Sequence, residues 1–323
     1  MFRTEIQVTP SPTLLGLQSK VMTIGSCFSD VIGNKMKQHK VQTLVNPFGT
    51  LFNPLSVGLL LETATGKEYD FSGELVQSQG RCYGWDFHSS LSGSSAEELL
   101  HQIHQRVEQV KNFLQQTDLL IITFGTAVAY QLKQSGNVVA NCHKIPQKNF
   151  NRLLLPQEQV LETYKNLFQV LQQYNPKLNI LLTVSPVRHV KETLEVNSVS
   201  KAMLRVLCHQ LQEQFEQVQY FPSFEIMMDD LRDFRFYKAD MLHPTEVAEN
   251  YIWEKFKAAW FDKPLQQFVQ EWEKLAKALE HKPFHPESEA HQQFLRATLA
   301  RLEQLSSFAD YSEEIARLRE QLV

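Results

Sequence analysis

The chain has 323 residues, of which 43% are hydrophobic and 21% are charged, and its formal net charge is −4. A balance this close to neutral gives no reason to expect nucleic acid or an anionic membrane as a partner. No apolar run reaches the roughly 18 residues that a membrane-spanning helix needs, so membrane insertion is not expected.

The cysteines and the start of the chain both favour a reduced, cytoplasmic location. The four cysteines are Cys27, Cys82, Cys142 and Cys208. They are far apart and form no C-x-x-C pair, which argues against a disulfide framework and against a cysteine-based zinc site. The first twelve residues, MFRTEIQVTPSP, lack the apolar core of a secretion signal.

Five short apolar segments predict β-strands, and the third and fourth are nearly continuous in Leu, Ile, Val and Thr. The predicted strands are 21–25, 41–45, 118–124, 178–184 and 218–221. Helical patterns fall at 28–38, 55–63, 95–115, 157–174 and 199–217, and Asn53, Ser95 and Ser198 are expected to begin three of these helices. Strands that are apolar throughout are usually covered on both faces. The alternation predicts a doubly wound α/β fold with a mostly parallel five-stranded sheet.

Two further parts of the chain differ from this alternation. Residues 73–92 predict a hairpin around Gly80, inserted before the third strand. Residues 263–323 alternate charges with Leu, Ala and Phe at helical spacing, which predicts two or three amphipathic helices. We expect a main domain over 1–262 and a helical extension over 263–323 that packs on it. A homodimer contact through these helices is the alternative role.

The residues that follow each predicted strand are the first candidates for a functional site, because ligands of open α/β sheets bind at the carboxyl ends of the strands. Polar, small or titratable residues occur at each of these ends. They are Ser26 and Cys27, then Asn46 and Gly49, then Thr126, then Arg188 and His189, and finally Asp240 and His243.

Asp240 and His243 are three positions apart, so one helical turn or a tight loop can aim both side chains into one cleft. The carboxylate would orient the imidazole, and the imidazole would take a proton from a nucleophile near the first strand. Pro244 would begin the next helix. A surface aspartate beside a histidine that caps a helix is the alternative.

Longer motifs resemble a known family. They are GSCFS at 25–29, NPFGTLFNP at 46–54, TFGTAVAY at 123–130, NCHKIP at 141–146, TVSPVRH at 183–189, FEIMMDDLRDFRFY at 224–237 and DMLHP at 240–244. In this order they resemble the GSCFA family, with Ser29 in place of its final alanine. That family is similar to the SGNH/GDSL hydrolases. The resemblance implies a flavodoxin-like three-layer α/β/α sandwich. It also implies cleavage or transfer of acyl esters, with the aspartate and histidine supplied by a late D-x-x-H.

The resemblance leaves two candidates for the nucleophile. The superfamily block Gly-Asp-Ser aligns with Gly25, Ser26 and Cys27, so register favours Cys27, whereas residue type favours Ser26. One step along a strand end turns a side chain to the opposite face, so both cannot point into one cleft. A helix that starts at Phe28 would place Cys27 near its positive end. That field and a partner imidazolium would lower the pKa of the thiol. The alternative is a small buried cysteine.

The same resemblance suggests where an oxyanion would be bound. Gly49 matches the glycine whose amide contributes in the second superfamily block. The third block of the superfamily carries an asparagine two positions after a glycine, and that asparagine is missing here, because Gly125 is followed by Thr126 and Ala127. Thr126 or Asn141 would replace it, and His143 lies beside Asn141. Structural loops are the alternative for each of these residues.

Arg188 and His189 would line the cleft and contact a polar or anionic substrate, or they would brace the loop. No glycine-rich phosphate loop and no metal-ligand spacing occurs, so no cofactor and no metal are expected. The sequence thus predicts a cofactor-free esterase, hydrolase or acyltransferase that acts on a small acyl or glycan-type substrate. The alternative is a non-catalytic module that binds a small molecule or carbohydrate on the same fold.

Overall fold

A computed structural model of the chain describes residues 3–281, 283–305 and 310–322. Residues 1, 2, 282, 306–309 and 323, which the two expected domain ranges include, lie outside the described residues. The strands are β1 (Lys20–Gly25), β2 (Gln42–Val45), β3 (Leu75–Ser78), β4 (Arg81–Gly84), β5 (Ser92–Gly93), β6 (Leu119–Phe124), β7 (Val128–Leu132), β8 (Val138–Val139), β9 (Phe150–Leu154), β10 (Asn179–Val184) and β11 (Val218–Tyr220). The helices are α1 (Cys27–Gln38), α2 (Pro54–Ala64), α3 (Ala96–Leu114), α4 (Gln157–Tyr174), α5 (Leu194–Gln214), α6 (Ser223–Glu225), α7 (Glu246–Trp260), α8 (Lys263–Leu279), α9 (Glu289–Leu305) and α10 (Ser312–Glu320).

The central sheet has the strand order β11-β10-β6-β1-β2, and every neighbouring pair is parallel. If only the five strands of this sheet are numbered in chain order, their spatial order is 5-4-3-1-2. This is the doubly wound arrangement of flavodoxin-like folds. The predicted five-stranded parallel sheet is therefore confirmed.

Alternation along the central strands divides the core between the two faces of the sheet. In β6, Leu120 and Ile122 pack into one hydrophobic cluster, while Leu119 and Ile121 pack into the other. Helices α2 to α5 contribute to the first cluster, and α1, α7 and α8 contribute to the second. Because successive side chains of a strand point to opposite faces, both faces must be covered. The result is the expected three-layer α/β/α sandwich.

Two short antiparallel sheets, β3-β4-β5 and β8-β7-β9, accompany the central sheet. β3 and β4 form the predicted hairpin, and its two turn residues, Gln79 and Gly80, both have positive φ, as hairpin turns of this length require. A second sheet, β8-β7-β9, has no counterpart among the predicted strands. β9 is mostly exposed and β8 has two residues, so neither has an apolar pattern of its own. Pairing with β7 determines their conformation.

Two predicted helix starts are wrong. Helix α5 begins at Leu194, where the Thr193 side chain accepts the N–H of Val196, so Ser198 lies inside the helix. Helix α7 is capped by Thr245 rather than begun by Pro244. In both cases a threonine hydroxyl satisfies an N–H at the helix terminus, which proline or an internal serine does not do.

The C-terminal helices α8, α9 and α10 are amphipathic, as predicted. Their apolar faces join the cluster that covers one face of the sheet, through Trp272, Leu302 and Leu318. The Trp272 indole also donates a hydrogen bond to the carbonyl oxygen of Gln38 at the end of α1. Among the described residues, no helix is apolar enough over a sufficient length to span a bilayer.

Candidate active site

The candidate site lies at the carboxyl edge of the sheet, where the strand order reverses between β1 and β6. This switch point is where ligands bind in open α/β sheets. Backbone hydrogen bonds join the loops here: Leu51 N–H donates to the Gly25 carbonyl oxygen (2.8 Å), and Gly125 N–H donates to the Phe52 carbonyl oxygen (3.0 Å). The segments that follow β1, β2 and β6 therefore form one contiguous surface.

Ser26 and Cys27 have different environments. Gly25 ends β1 with φ of +130°, and a Cβ on it would lie 2.1 Å from the Thr123 carbonyl oxygen, so a larger residue does not fit. Ser26 is the N-cap residue of α1 but makes no capping hydrogen bond through its side chain. It is fully buried, and its hydroxyl has no partner among the described residues. Cys27, the first residue of α1, is half-buried. The thiol is the more accessible nucleophile.

The pKa of the Cys27 thiol is raised, which corrects the expected lowering. Burial is the largest influence, and the carboxylate of Asp30 raises the pKa further. The ammonium of Lys201 and the N–H groups of Cys27 and Phe28 act in the opposite direction, as a helix N-terminus should. Desolvation of the thiolate outweighs these favourable groups, so the thiol is the resting form.

Lys201 is part of the site, although it was not predicted. Its side chain is 1% exposed, and its Nζ donates to the carbonyl oxygens of Gly125 and Ser185, each at 2.7 Å. Burial lowers the pKa of Lys201 to about 7. The sequence signal is its register in α5, since Lys201 lies three positions before the buried Leu204 and seven before the buried Cys208. A lysine in a buried helical stripe is unusual.

Asp240 and His243 form a hydrogen-bonded pair in a tight loop. One carboxylate oxygen of Asp240 accepts the N–H groups of Leu242 (2.8 Å) and His243 (3.0 Å), and the other lies 2.6 Å from Nδ1 of His243. The loop turns at Met241, which has φ of +60°. Its Leu242 carbonyl oxygen accepts the N–H of Arg188 (3.3 Å), which holds it beside the end of β10.

The electrostatics of this pair suit an oriented base. Hydrogen bonds from the backbone N–H groups of His243 and Leu242, and then from the imidazole, lower the pKa of Asp240 to about 2. A carboxylate that stays ionised keeps the proton of a neutral imidazole on Nδ1 and leaves the Nε2 lone pair free. The two side chains are 44% and 42% exposed, so Nε2 is open to a substrate or a nucleophile.

His189 lies between the buried lysine and the histidine loop. Its ring meets Phe52 edge-on, and its backbone N–H donates to Oδ1 of Asn197 (2.9 Å). Burial lowers the pKa of His189 to about 3, and the charges of Lys201 and His243 lower it too. His189 is therefore neutral, and its buried Nε2 has no hydrogen-bond partner among the described residues.

Arg188 turns away from His189. Its guanidinium lies over the ring of Tyr237, at 4.2 Å from the centroid, and is 5.7 Å from that of Phe234. These contacts place Arg188 at one wall of a small cavity of about 190 Å³ that also borders Met227. The arrangement braces the loop after β10 and leaves an edge of the guanidinium beside the cavity.

The predicted oxyanion donors are already engaged in the structure. The Gly49 N–H donates to the Asn46 carbonyl oxygen (2.8 Å) in a turn where Gly49 has φ of +77°. The Oδ1 of Asn46 accepts the N–H of Gly25 (2.9 Å), while its buried Nδ2 has no partner among the described residues.

Thr126 is also paired at both of its polar groups. Its N–H donates to the Phe52 carbonyl oxygen (3.0 Å). Its hydroxyl bonds Ser200 (3.0 Å) and accepts the N–H of Val128 (3.0 Å). Thr126 therefore joins the loop after β6 to α5 through Ser200, which directly precedes Lys201 in that helix.

Asn141 and His143 belong to the neighbouring antiparallel sheets rather than to the edge that holds Cys27. The His143 ring stacks on Tyr83, and its two nitrogens bond Ser89 (3.0 Å) and the Gly84 carbonyl oxygen (2.8 Å). Asn141 accepts the N–H of His143 (2.9 Å). Burial lowers the pKa of His143, which keeps it neutral in the hairpin. Within the described residues, these contacts do not reach the candidate site.

No group of three or more His, Cys, Asp or Glu side chains with the geometry of a metal site occurs among the described residues. The segments that follow the strands at the carboxyl edge thus carry a thiol, a buried ammonium, a neutral imidazole and an oriented Asp–His pair. This set can transfer protons and present a sulfur nucleophile.

Two family models match the chain. The model of the GSCFA family matches residues 20–256, and that of the C-terminal domain of GSCFA domain proteins matches residues 272–323. Together they cover the whole central sheet and leave residues 1–19 and 257–271 unmatched. No curated protein matches the sequence.

Several solved structures are similar in fold at low identity. A protein from Streptococcus pneumonia, described only provisionally as a platelet activating factor, is 14% identical with a TM-score of 0.39, over 75% of this chain and 83% of the other. A family 3 carbohydrate esterase from Talaromyces cellulolyticus is 9% identical with a TM-score of 0.35, over 78% and 99%. The family 3 carbohydrate esterase of Clostridium thermocellum is 14% identical with a TM-score of 0.32, over 78% and 97%.

Proposed function

The chain belongs to the GSCFA family, and we propose that it is a cofactor-free acyl hydrolase or acyltransferase. Its substrate is an ester or thioester, its nucleophile is Cys27, and His243 is the general base and acid that Asp240 orients. The observation that carries the proposal is the Asp240–His243 hydrogen bond of 2.6 Å in a loop held at the edge where Cys27 begins α1.

The chemistry follows from these groups. His243 Nε2 takes the proton of the Cys27 thiol as the sulfur attacks the carbonyl carbon of the substrate. The bond to the leaving alcohol or thiol breaks, and His243 returns the proton to that group. Water or an acceptor alcohol or amine then attacks the Cys27 thioester and gives its proton to His243. The bond between the acyl carbon and the sulfur breaks, the acyl group leaves on the acceptor, and His243 returns the proton to the Cys27 sulfur.

Cys27 is preferred over Ser26 because of accessibility. Ser26 is fully buried, whereas Cys27 is half-buried at the start of a helix. The N–H groups of Cys27 and Phe28 lie where they can bond the sulfur, and the first N–H groups of a helix have no intrahelical acceptor. The same N–H groups would stabilise an oxyanion. The unpaired Nδ2 of Asn46 is the candidate for the donor that the missing asparagine supplies elsewhere.

We infer from a nearby small cavity with a partly apolar wall that the acyl group is short. A cavity of about 220 Å³ begins at Phe52, Thr126 and His189. Its other walls include Val128, Ala129, Val139 and Ala140, and its rim also carries Tyr130, Lys191 and Glu192. Apolar walls favour burial of hydrocarbon, and the volume lies below the range of about 300–1,000 Å³ that is typical of drug-sized ligands. We therefore assign the cavity to a short acyl group.

A second candidate function is a non-catalytic module that binds a small molecule. The raised pKa of Cys27 and the paired N–H of Gly49 favour it, because both features disfavour catalysis. The same cleft would then hold the ligand without bond cleavage.

Hydrolysis of p-nitrophenyl butyrate distinguishes the two candidates. We expect the natural protein to turn over the ester and the Cys27→Ala and His243→Ala variants to lose activity to background. The Ser26→Ala variant should keep its activity. Intact-protein mass spectrometry should show an acyl adduct on the Cys27 peptide during turnover. Turnover that is absent, or is indifferent to both Cys27 and His243, would contradict the hydrolase proposal and favour the binding module.

A further inference from the structure

Arg188 brings an unneutralised positive charge to the wall of the cavity of about 190 Å³. Its guanidinium lies over the rings of Tyr237 (4.2 Å to the centroid) and Phe234 (5.7 Å). An aromatic ring attracts a cation but does not neutralise it. In the described part of the chain, the Arg188 side chain forms no ion pair with Asp or Glu, so its charge is available to a ligand.

The other charged residues of this wall already have partners. Arg232 lies 3.7 Å from the carboxylate of Asp229, and the carboxylate of Asp233 lies 3.0 Å from the guanidinium of Arg235. The Asp233 carboxylate also accepts the backbone N–H of Arg235 (2.9 Å). These pairs leave Arg188 as the cation of the wall that lacks a counter-charge.

The rest of the wall is mostly apolar, and part of it is a π-helical turn, Ile226–Asp230. The Leu231 N–H donates to the Ile226 carbonyl oxygen (2.8 Å), five residues earlier, which is the spacing of a π-helix. Met227 and Met228 lie in this turn, and both line the cavity. Such turns are rare and occur frequently at functional sites, and methionine adapts to irregular ligand shapes.

The cavity adjoins the loop that carries His243. The Arg188 N–H donates to the Leu242 carbonyl oxygen (3.3 Å), and Tyr237 pairs with Pro244 in an antiparallel bridge. Two residues of the cavity wall are therefore bonded to the residues on either side of His243. A ligand in this cavity would lie next to the loop of the proposed general base.

A carboxylate on a small apolar body matches this wall. The planar guanidinium can bond both oxygens of a carboxylate, and one unpaired cation balances one negative charge. A phosphate dianion would bring a second negative charge close to Asp233, which disfavours it. A cavity of about 150 Å³ can hold benzene, so about 190 Å³ has room for one ring or a short chain.

We propose that this cavity binds a monoanionic carboxylate with a small apolar body, and that Arg188 is the residue that selects the charge. In the proposed reaction, the carboxylate belongs to the alcohol or thiol part of the substrate, because the cavity at His189 is assigned to the acyl group. This assignment to the substrate rests on the proposed function, whereas the binding site itself does not.

Benzoate binding tests the site without any turnover. Full-length protein is labelled with ¹³C at the methionine methyl groups, and Met227→Leu and Met228→Leu identify the two resonances of the cavity. Benzoate should shift both resonances and saturate, while benzamide, its neutral match, and inorganic phosphate should bind at least about tenfold more weakly. Arg188→Met should weaken benzoate binding about tenfold, since a hydrogen-bonded charge pair is lost. Arg188→Lys should lie between the two. Arg301→Met, at an exposed position of α9, is the control and should leave the affinity unchanged.

Equal affinity for benzoate and benzamide in the natural protein would overturn the proposal, and this comparison needs no variant to fold. Unchanged benzoate binding in folded Arg188→Met, or tighter binding of phosphate than of benzoate, would overturn it as well.

Two esters test the assignment to the alcohol part of the substrate. 4-Butyryloxybenzoate releases 4-hydroxybenzoate, and phenyl butyrate releases phenol, from the same acyl group. Arg188→Met should raise KM about tenfold for the first ester and leave KM for the second unchanged. Equal effects on both would overturn the assignment. Absence of turnover with both esters in the natural protein would contradict the proposed function, while the benzoate results decide the binding site on their own.

Discussion

Asp240 holds His243 through both of its carboxylate oxygens, one on Nδ1 at 2.6 Å and one on the backbone N–H at 3.0 Å. The residue therefore fixes the loop and the imidazole together. An exposed ion pair contributes little to stability, so the value of this geometry lies in orientation.

Asp240→Asn should separate these two effects. The amide oxygen can still accept the N–H groups of Leu242 and His243, but the amide nitrogen would face Nδ1 and favour the tautomer that is protonated at Nε2. We expect turnover of p-nitrophenyl butyrate to fall about a thousandfold while the melting temperature changes little. Asp70→Asn is the matched control, since Asp70 accepts the Ser72 N–H in a similar exposed turn. Equal activity in both variants would contradict the assignment.

Ser26→Ala tests whether the buried hydroxyl has any role. The hydroxyl is fully buried, makes no capping bond and has no partner among the described residues. Removing an unsatisfied buried hydroxyl is neutral or stabilising, by up to about 1 kcal/mol. We expect an unchanged or higher melting temperature and full alkylation at Cys27. A marked fall in both the melting temperature and the extent of Cys27 alkylation would show that the Ser26 hydroxyl bonds a group that the structure does not reveal.

Asp30→Asn should make Cys27 more reactive. The Asp30 carboxylate raises the pKa of the thiol, so its removal lowers that pKa. A lower pKa increases the thiolate fraction at pH 7.5, and iodoacetamide should react several-fold faster. Asn can still accept the Thr50 hydroxyl, which lies 3.2 Å from Oδ2. Glu97→Gln makes the same change of charge in the first turn of α3 and should leave the rate unchanged.

The burial of Lys201 predicts a pH dependence of stability. Its folded pKa is about 7, below the value of about 10.4 for an unfolded lysine, so the unfolded chain binds more protons between these values. The free energy of unfolding of the natural protein should therefore rise with pH in this window, by up to about 1 kcal/mol per unit relative to Lys201→Met. Urea unfolding at pH 6.5, 7.5 and 8.5 measures this difference. Lys274→Met, at an exposed position, is the control.

Sequence patterns predicted the elements that rely on local signals. Strands β6 and β10 are nearly continuous in Leu, Ile, Val and Thr, and Asn53 and Ser95 cap α2 and α3 as expected. The Asp240–His243 pair was predictable because its three-residue spacing limits where the two side chains can point. The resemblance to the GSCFA motifs supplied the rest of the fold class.

Features that depend on distant contacts were not predictable. In the sequence, Lys201 cannot be distinguished from an ordinary surface lysine of a helix. Only the parallel sheet places the Gly125 and Ser185 carbonyl oxygens within hydrogen-bond distance of its Nζ. The raised pKa of Cys27 reflects burial, which residue type does not reveal. His143 was grouped with the site because of its neighbours in sequence, but hairpin contacts hold it elsewhere.

Gly49 and Gly80 provide a matched pair for testing the loop that follows β2. Both have φ of +77°, so alanine costs about 1 kcal/mol at either position from backbone strain. A Cβ on Gly49 would lie 2.4 Å from the Cβ of His88, whereas a Cβ on Gly80 meets nothing within 4 Å. Gly49→Ala should therefore lower the free energy of unfolding by about 1–3 kcal/mol more than Gly80→Ala does. It should also slow Cys27 alkylation or ester turnover, because the displaced loop carries Leu51, whose N–H holds the Gly25 carbonyl oxygen. Urea unfolding of both variants measures the difference. Equal losses in the free energy of unfolding would mean that the loop carrying His88 moves aside at no energetic cost.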